Sequence, residues 1–429
     1  MKVLLSAYAC QPGEGSEPSV GWNTVVEVAK SHEVWVLTRR NNQKAIVAEL
    51  ERHPIDNLHF IYLDVFNWTR RWPPGEVGKA VRIHYYLWQV RAYFAARRLH
   101  RQIGFDLMHH VTYVQYSAPS FLALFPVPFI WGPVGGGESA PQSFRSTFNK
   151  RAQRYEILRD ISRSIAEADP FVRMTAKRST IALATTQDTA ECLHALNAPQ
   201  VQVVGQCGLS GAEIDTLCRL PAPQATPLRF ISIGRFLHWK GFDLGLEAFA
   251  RAQIEDAEFW MLGDGSERER LESLAASLGI ADRVKWWGKL SRDKTLEMLG
   301  ECHVLVHPSL HDSGGFVILE AMAAARPVIC LDLGGPATQV TQATGYKITA
   351  SDRDSTIDGI ASAMNRFASD PERSKHMGQA GRSRVKMHYD WRAKGQFFSE
   401  LYRRVLSGKS EQNPTVLAGT IGQTSQTRG

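Results

Sequence analysis

The chain opens on an apolar run, Lys2–Ala7, that ends at a loop rich in Gly, Pro and Glu over Gln11–Gly21. A stretch with apolar positions three or four apart, Gly21–Lys30, follows, and then a second apolar run, Glu33–Leu37. Short apolar runs bounded by turn residues predict buried strands, and longer periodic stretches predict helices. The rhythm continues with a helix around Asn42–Glu51 and a strand around His59–Leu63. Asp106–Met108, Pro128–Trp131 and Thr180–Ala184 read as further strands. Cys207–Pro227 carries Gly and Pro and no clear period, so it reads as a linker. The pattern then restarts: strands at Leu228–Ile233, Glu258–Leu262, Val284–Trp286, Val304–His307 and Pro327–Leu331. Between them lie helices at Gly241–Ala252, Glu267–Leu278, Asp293–Gly300 and Phe316–Ala325. Such alternation predicts an α/β protein with two Rossmann-like, doubly wound parallel sheets.

The expected division is residues 1–210, a linker 211–227, a second domain 228–388, a helix 389–407 and a disordered polar tail 408–429. Trp391, Phe397, Phe398, Leu401, Tyr402 and Val405 give that helix one apolar face, which packs back toward the first domain. A length of 429 residues suits two domains of about 200 each.

Composition narrows the class. The six Cys are dispersed, at 10, 192, 207, 218, 302 and 330, with no C-x-x-C pair. That excludes a zinc ribbon or a disulfide framework and suits a reducing cytosol. No apolar stretch is long enough to span a membrane, and Val3–Ala9 is too short for a signal peptide, so the expected location is cytoplasmic. The formal charge is +7. Residues 67–101 hold eight Lys/Arg against one acid, and residues 145–178 hold nine against four. The basic excess points to an anionic partner on the first half. Trp68, Trp72, Tyr85, Tyr86, Trp88, Tyr93 and Phe94 lie among the cations of Asn67–Arg101. Rings and cations together suit the headgroup layer of an anionic membrane, with the protein peripheral on its inner face. The same stretch also reads as a helix whose Tyr85, Trp88 and Ala92 pack inward while its Arg side chains face water. No nucleic acid is expected.

Candidate chemistry gathers in the second half. Gly234-Arg235 ends one strand, and Lys240-Gly241 precedes a helix. Open α/β sheets bind ligands at such strand ends, and Arg and Lys suit phosphate. His311-Asp312-Ser313-Gly314-Gly315-Phe316 leads into the apolar helix that Glu320 interrupts. Glycines let a phosphate approach the helix start. A carboxylate inside an apolar helix needs partners. For Glu320 these are either ribose hydroxyls or a neighbouring amide or cation. In the first half, Asp106-Leu107-Met108-His109-His110 ends a strand. The Gln11–Pro18 loop is not Gly-x-Gly-x-x-Gly, and Leu37 leads to Thr38-Arg39-Arg40 instead of an acid. A nicotinamide-dependent oxidoreductase is thereby excluded. Asp352-Arg353-Asp354 is a D-x-D string in a polar loop and implies no metal.

Asp312, seven residues, Glu320-Ala321-Met322-Ala323 and Arg326-Pro327-Val328 resemble the hallmark of family 4 of the glycosyltransferases, the retaining group with the GT-B fold. Gly263-Asp264-Gly265, Trp287-Gly288-Lys289-Leu290 and Asp332-Leu333-Gly334-Gly335-Pro336 extend the likeness. It is specific over residues 228–345, fair over the first 140 and weak over 145–225. The resemblance implies a nucleotide-sugar donor held as a substrate, no cofactor and no metal. Arg235, Lys240 and the N–H groups of Gly315, Phe316 and Val317 would take the diphosphate, with Gly234, Gly263 and Gly314 shaping its approach. Glu320 would take the ribose, Lys289 and Leu290 would flank the base, and Asp312 would meet the sugar. Asp312 stands where Glu is commoner, and Arg326 where Gly is usual.

The loop with Glu14 and Gly15 resembles one that closes over the donor in a polysaccharide-building subgroup. Trp131-Gly132-Pro133-Val134-Gly135-Gly136-Gly137-Glu138 resembles another of its motifs, with Gly135, Gly136 and Glu138 on the acceptor side of the cleft. Either run could also be a structural turn. Many members place a His at the strand end held here by His109 and His110; His110 is favoured to face the sugar, with His109 packed behind it. Together with Arg235 and Lys240 these form the expected catalytic set. The acceptor would be a glycan or lipid-linked glycan in cell-surface polysaccharide synthesis. A nucleotide-sugar epimerase on the same fold and an inactive sugar-binding relative are the alternatives.

Overall fold

The computed structural model of the protein describes residues 1–65 and 80–408. The first sheet contains β1 (Lys2–Ala7), β2 (Glu33–Arg39), β3 (Leu58–Leu63), β4 (Leu107–Thr112), β5 (Phe129–Val134), β6 (Ile181–Ala184) and β7 (Val201–Val203). Their order is β3-β2-β1-β4-β5-β6-β7. Around it lie α1 (Ser16–Ala29), α2 (Gln43–Arg52), α3 (Ala80–Ile103), α4 (Gln142–Arg145), α5 (Lys150–Ala168), α6 (Pro170–Arg178) and α7 (Gln187–Ala195). Next comes α8 (Gly211–Cys218). The second sheet contains β8 (Leu228–Ile233), β9 (Ala257–Leu262), β10 (Val284–Gly288), β11 (Val304–His307), β12 (Val328–Leu331) and β13 (Gly345–Ile348), in the order β10-β9-β8-β11-β12-β13. Its helices are α9 (Phe242–Ala252), α10 (Arg268–Ser277), α11 (Arg292–Gly300), α12 (Phe316–Ala323), α13 (Gly334–Gln339), α14 (Arg353–Ser369), α15 (Pro371–His388) and α16 (Trp391–Ser407). Every pairing between these strands is parallel. Parallel strands are covered on both faces, which is why the central ones read as unbroken apolar runs.

Each sheet reverses its strand order once, between β1 and β4 in the first and between β8 and β11 in the second. Crevices for ligands open at such switch points, beyond the carboxyl ends of the strands. The cleft-lining segments follow from this topology.

The domains exchange elements. The β5–β6 connection leaves the first domain and buries Ala140 and Phe144 in the core of the second, beside Phe236, Phe242 and Leu310. In return, α16 leaves the second domain. Its Phe397, Phe398, Leu401 and Tyr402 join β1, β2 and α1 residues in the core of the first. His32 Nε2 lies 3.1 Å from Ser399 Oγ, and His109 Nδ1 lies 2.6 Å from the Tyr402 hydroxyl.

Two differences from the sequence reading stand out, and one alternative it left open is decided. The expected linker contains α8, whose Ser210–Glu213 capping box fixes its start. Ile214 and Leu217 of that helix sit in the core beside α12. The first helix begins at Ser16, five residues earlier than its apolar period suggested, with Gly15 at its N-cap and no side-chain cap bond. On α3, Tyr85 and Trp88 are buried against Tyr8 and Tyr113, so these two rings are core and not headgroup anchors. Trp68, Trp72 and the rest of 66–79 lie outside the described residues, as does the tail from 409. Among the described residues no helix is long and apolar enough to cross a membrane.

Phe144 has no exposed surface, and its pocket belongs to the other domain. Phe144→Ala should cost about 3–5 kcal/mol, read as a lower urea midpoint. Unfolding at the wild-type midpoint would show that the pocket does not depend on this ring.

Candidate active site

The candidate donor half, the second domain, is built on the β8 and β11 ends. Gly263 follows β9 at φ +133°, and a Cβ there would lie 1.8 Å from the Gly234 carbonyl oxygen. The strand tips can meet this closely only because residue 263 has no side chain. Arg235 follows the β8 tip, its side chain exposed and forming no ion pair with the described residues. Lys240 ends the next turn. Its Nζ donates to Asp312 Oδ2 at 2.6 Å. His307, the last residue of β11, brings Nε2 within 3.3 Å of the same oxygen. The Gly314 N–H points to Asp312 Oδ1 at 3.4 Å, and the Gly335 N–H donates to the Asp312 carbonyl at 2.7 Å. Burial pushes the Asp312 carboxyl up, but His307 and Lys240 outweigh it and hold the group well below the usual carboxylate range.

Gly315 caps α12 at φ +116°, and no side chain caps the helix start. The first N–H groups of a helix have no intrahelical acceptor, so those of Phe316 and Val317 are left to partners outside the helix. Glu320 lies one turn in and is 6% exposed. Burial raises its carboxyl, opposed by Arg292. Arg292 Nη1 donates to Glu320 Oε1 at 2.7 Å, and Nη2 donates to Glu213 Oε1 at 2.8 Å. The neighbouring cation is thus the partner that Glu320 has here. Lys289 is exposed and Leu290 half-buried at the end of β10.

In the first domain, His109 and His110 are both fully buried. His109 Nδ1 meets Tyr402, its Nε2 lies 2.6 Å from the Gly132 carbonyl, and its ring packs on Phe398. Both ring nitrogens are therefore engaged on the α16 side of the sheet. His110 Nε2 lies 3.0 Å from the Tyr113 carbonyl, and its Nδ1 has no hydrogen-bond partner. Burial lowers His109 to about 3 and His110 to about 4, so each ring is neutral at physiological pH.

Glu138 does not project into open space. Its Oε1 accepts from Thr186 and Thr189 at 2.6 and 2.9 Å, and its Oε2 from the Gly136 N–H at 3.1 Å. The carboxylate staples the glycine loop to the start of α7. A Cβ on Gly135 would lie 2.9 Å from Ser313 Cβ, so this loop touches the donor half directly. Glu14 is exposed and bonded at 3.4 Å to Gln11, and Gly15 faces open space. Asp352 caps α14 by accepting from the Ser355 N–H, and Asp354 pairs with Arg251. The D-x-D string thus serves a helix start.

Sequence reasoning missed Arg292, His307 and Glu17. His307 carried the same strand-end signal as His110; Arg292 carried none. Glu17 Oε1 accepts from the Val114 N–H at 2.7 Å, and burial lifts its carboxyl to about 7 despite that bond.

Comparison with known proteins fits this geometry. The family model described as Glycosyl transferases group 1 matches residues 221–384. The chain carries a glycosyl transferases group 1 domain. That domain spans the whole donor half, from the approach to β8 through α15. The lipopolysaccharide core biosynthesis glycosyltransferase LpsE of Rhizobium meliloti (strain 1021) is 39% identical over 118 residues, 28% of this chain and 33% of that protein. The chain spans about a third to a half of the length of the curated relatives it matches. Sucrose-phosphate synthase from Thermosynechococcus elongatus superposes with TM-score 0.61 at 20% identity, over 95% of this chain and 100% of that one. Anabaena Alr3699/HepE in complex with UDP superposes with TM-score 0.59 at 17% identity, over 94% and 100%. The fold of the glycosyl transferases group 1 domain and its N-terminal partner is GT-B, two Rossmann-like domains across a cleft.

The buried histidines set a pH dependence. An unfolded His takes a proton near pH 6.5, whereas native His109 and His110 do so only near 3 and 4. Below about pH 6.5 the unfolded state binds more protons, so stability falls as pH falls toward 4. His109→Gln should reduce that slope by about one proton in urea titrations run from pH 7 to pH 4. An unchanged slope would mean that His109 is protonated in the native state.

Proposed function

We propose that the chain is a retaining glycosyltransferase, acting without a metal, that moves a sugar from a nucleotide-sugar to a glycan or lipid-linked glycan in cell-surface polysaccharide synthesis. One observation carries the reading: Lys240, Asp312 and the open start of α12 sit together at the β8/β11 switch point, with Arg235 following the tip of β8. The cations and the helix start are the groups a diphosphate needs, and Asp312 is a carboxylate for the sugar. HepE was solved with UDP, which supports a nucleotide-bearing donor. The LpsE relative belongs to lipopolysaccharide core biosynthesis, which supports a surface-glycan acceptor.

In the proposed reaction the bond between the sugar's anomeric carbon and the phosphate oxygen breaks. The acceptor oxygen bonds to the same face of that carbon, and its proton passes to the departing diphosphate. Negative charge grows on the diphosphate, where Arg235, Lys240 and the α12 N–H groups of Gly315, Phe316 and Val317 stabilise it. Lys240 leaves Asp312 for the phosphate, and Asp312 then has an oxygen for the sugar hydroxyls. Glu320 offers the ribose the oxygen that Arg292 does not hold. His110, not the doubly engaged His109, is the histidine for the sugar.

Lys240→Ala and Glu320→Ala should each raise the transfer barrier by about 2.7–4 kcal/mol while the protein stays folded. The assay is sugar transfer from radiolabelled nucleotide-sugars, with EDTA present throughout. Wild-type turnover in either variant removes that residue from the site, and loss of wild-type turnover in EDTA overturns the metal-free reading.

The acceptor is proposed to be presented at an anionic membrane. Ile83, Leu87, Val90 and Phe94 form one exposed apolar face of α3, a helix with five Arg and no acid. Ile157, Leu158, Ile161 and Ile165 form an exposed face of α5, which begins with exposed Lys150, Arg151 and Arg154. Arg82 bonds Ser162 and joins the two helices. Apolar ridges edged by cations suit insertion among anionic headgroups, each cation contributing about 1 kcal/mol. The protein should float with anionic vesicles at low salt and less at high salt. Ile161→Glu with Ile165→Glu should abolish flotation. A wild-type protein that stays in the soluble fraction at low salt overturns the membrane reading.

A further inference from the structure

Besides the glycine loop, the first domain reaches the donor half through α5, whose two ends are anchored in different domains. At its far end, Arg163 Nε donates to the Tyr116 hydroxyl at 3.0 Å, and that hydroxyl donates to Glu167 at 2.6 Å. At its near end, the chain leading into α5 is fixed by Phe144 in the core of the second domain. The next residues face the donor loops. Phe148 packs edge-on to His238 at 5.0 Å, and Tyr155 stacks on Trp239 at 5.2 Å with rings 11° apart. Trp239 in turn stacks on His311 at 5.2 Å and 16°.

Glu156 lies at the centre of this contact and is 1% exposed. His238 Nε2 lies 2.9 Å from its Oε1, and His311 Nε2 lies 3.4 Å from the same atom. Its Oε2 has no hydrogen bond among the described residues, and Arg159, from its own helix, lies 3.8 Å from it. A buried carboxylate with one unbonded oxygen is a costly choice if stability alone is at stake. What it does fix is position. His238 is two residues before Lys240, and His311 immediately precedes Asp312. The two loops are also joined to each other, since the Leu310 N–H donates to the Trp239 carbonyl at 2.8 Å.

We infer that Glu156 is a positioning residue: by gripping His238 and His311 from the first domain, it sets Lys240 and Asp312 in place for the donor diphosphate. The inference rests on the donor reading above. It makes the donor site depend on a residue from the domain that the acceptor uses. When α5 withdraws, Lys240 and Asp312 lose their support, so the nucleotide is held tightly only with the domains together.

The test uses the full chain. UDP, GDP and ADP are titrated calorimetrically into wild type, and the tightest binder is used throughout. Glu156→Ala and His238→Ala should each weaken binding about tenfold, the worth of one charge-assisted hydrogen bond. The donor KM should rise in step, with the acceptor KM unchanged. Glu156→Gln, whose amide oxygen still accepts from His238, should recover part of the loss. The Glu156→Ala/His238→Ala double variant should lose no more than either single one, because both remove the same contact. Wild-type binding in the singles, or losses that multiply to roughly a hundredfold in the double, overturns the inference. If Glu156→Ala does not fold, wild-type binding by both His238→Ala and Glu156→Gln overturns it equally. If wild type binds none of the three nucleotides, the donor reading fails and the latch with it. If wild type binds and every variant binds alike, the latch alone fails.

Discussion

A single carboxylate organises the donor half. Asp312 takes Lys240 from the turn after β8, His307 from the end of β11 and the Gly314 amide from the approach to α12. Its carbonyl takes the Gly335 amide from the start of α13. Four segments, two of them distant in sequence, are referred to one residue. Burying that charge is tolerable only because cation, ring and amides surround it. The same clustering gives the site its chemistry. The lysine that balances the carboxylate in the resting protein is the lysine a diphosphate would attract.

The cleft between the domains is not a gap between independent bodies. Phe144 sits in one core and Tyr402 in the other, each contributed by chain that crosses over. Gly135 lies against Ser313 with no room for a side chain. Two buried glutamates near this contact are handled differently. Glu138 is satisfied wholly within its own domain, by two threonines and an amide. Glu156 takes its hydrogen bond from across the cleft, from a histidine of the facing loops, with Arg159 of its own helix 3.8 Å away. The first stabilises a loop whatever the domains do. The second is meaningful only when they meet.

Most strands and the glycine turns of the candidate site were legible because their signals are local. A strand buried on both faces must be apolar wherever it pairs, so β1, β8 and β11 were evident at the residue level. Gly234, Gly263 and Gly315 were legible because a close approach or positive φ leaves little alternative to glycine. The edge strands β7 and β13 were missed because they are short and carry half-buried or polar positions. Helix α8 was missed because turn residues surround it and its apolar side chains answer to α12 instead of to a neighbouring strand. Arg292 was invisible because its meaning comes from Glu320, 28 residues away. Lys240 and Asp312 were each legible, but not as a pair, since nothing in the sequence says that residues 72 apart share a proton-bearing contact. The aromatics of α3 were ambiguous for a related reason: a Trp reads the same whether it faces Tyr8 or a lipid.

The crossing of α16 also bears on how the chain is made. The first sheet is complete once β7 has left the ribosome, yet one of its faces is finished by Phe397, Phe398, Leu401 and Tyr402. Until synthesis reaches them, that face stays bare, and His109 lacks the hydroxyl that holds its ring. Domains generally fold as units in order of emergence. Here the earlier unit must wait for the later one, and a nascent chain stalled anywhere between residues 204 and 390 displays an apolar surface to whatever chaperone or neighbour is at hand.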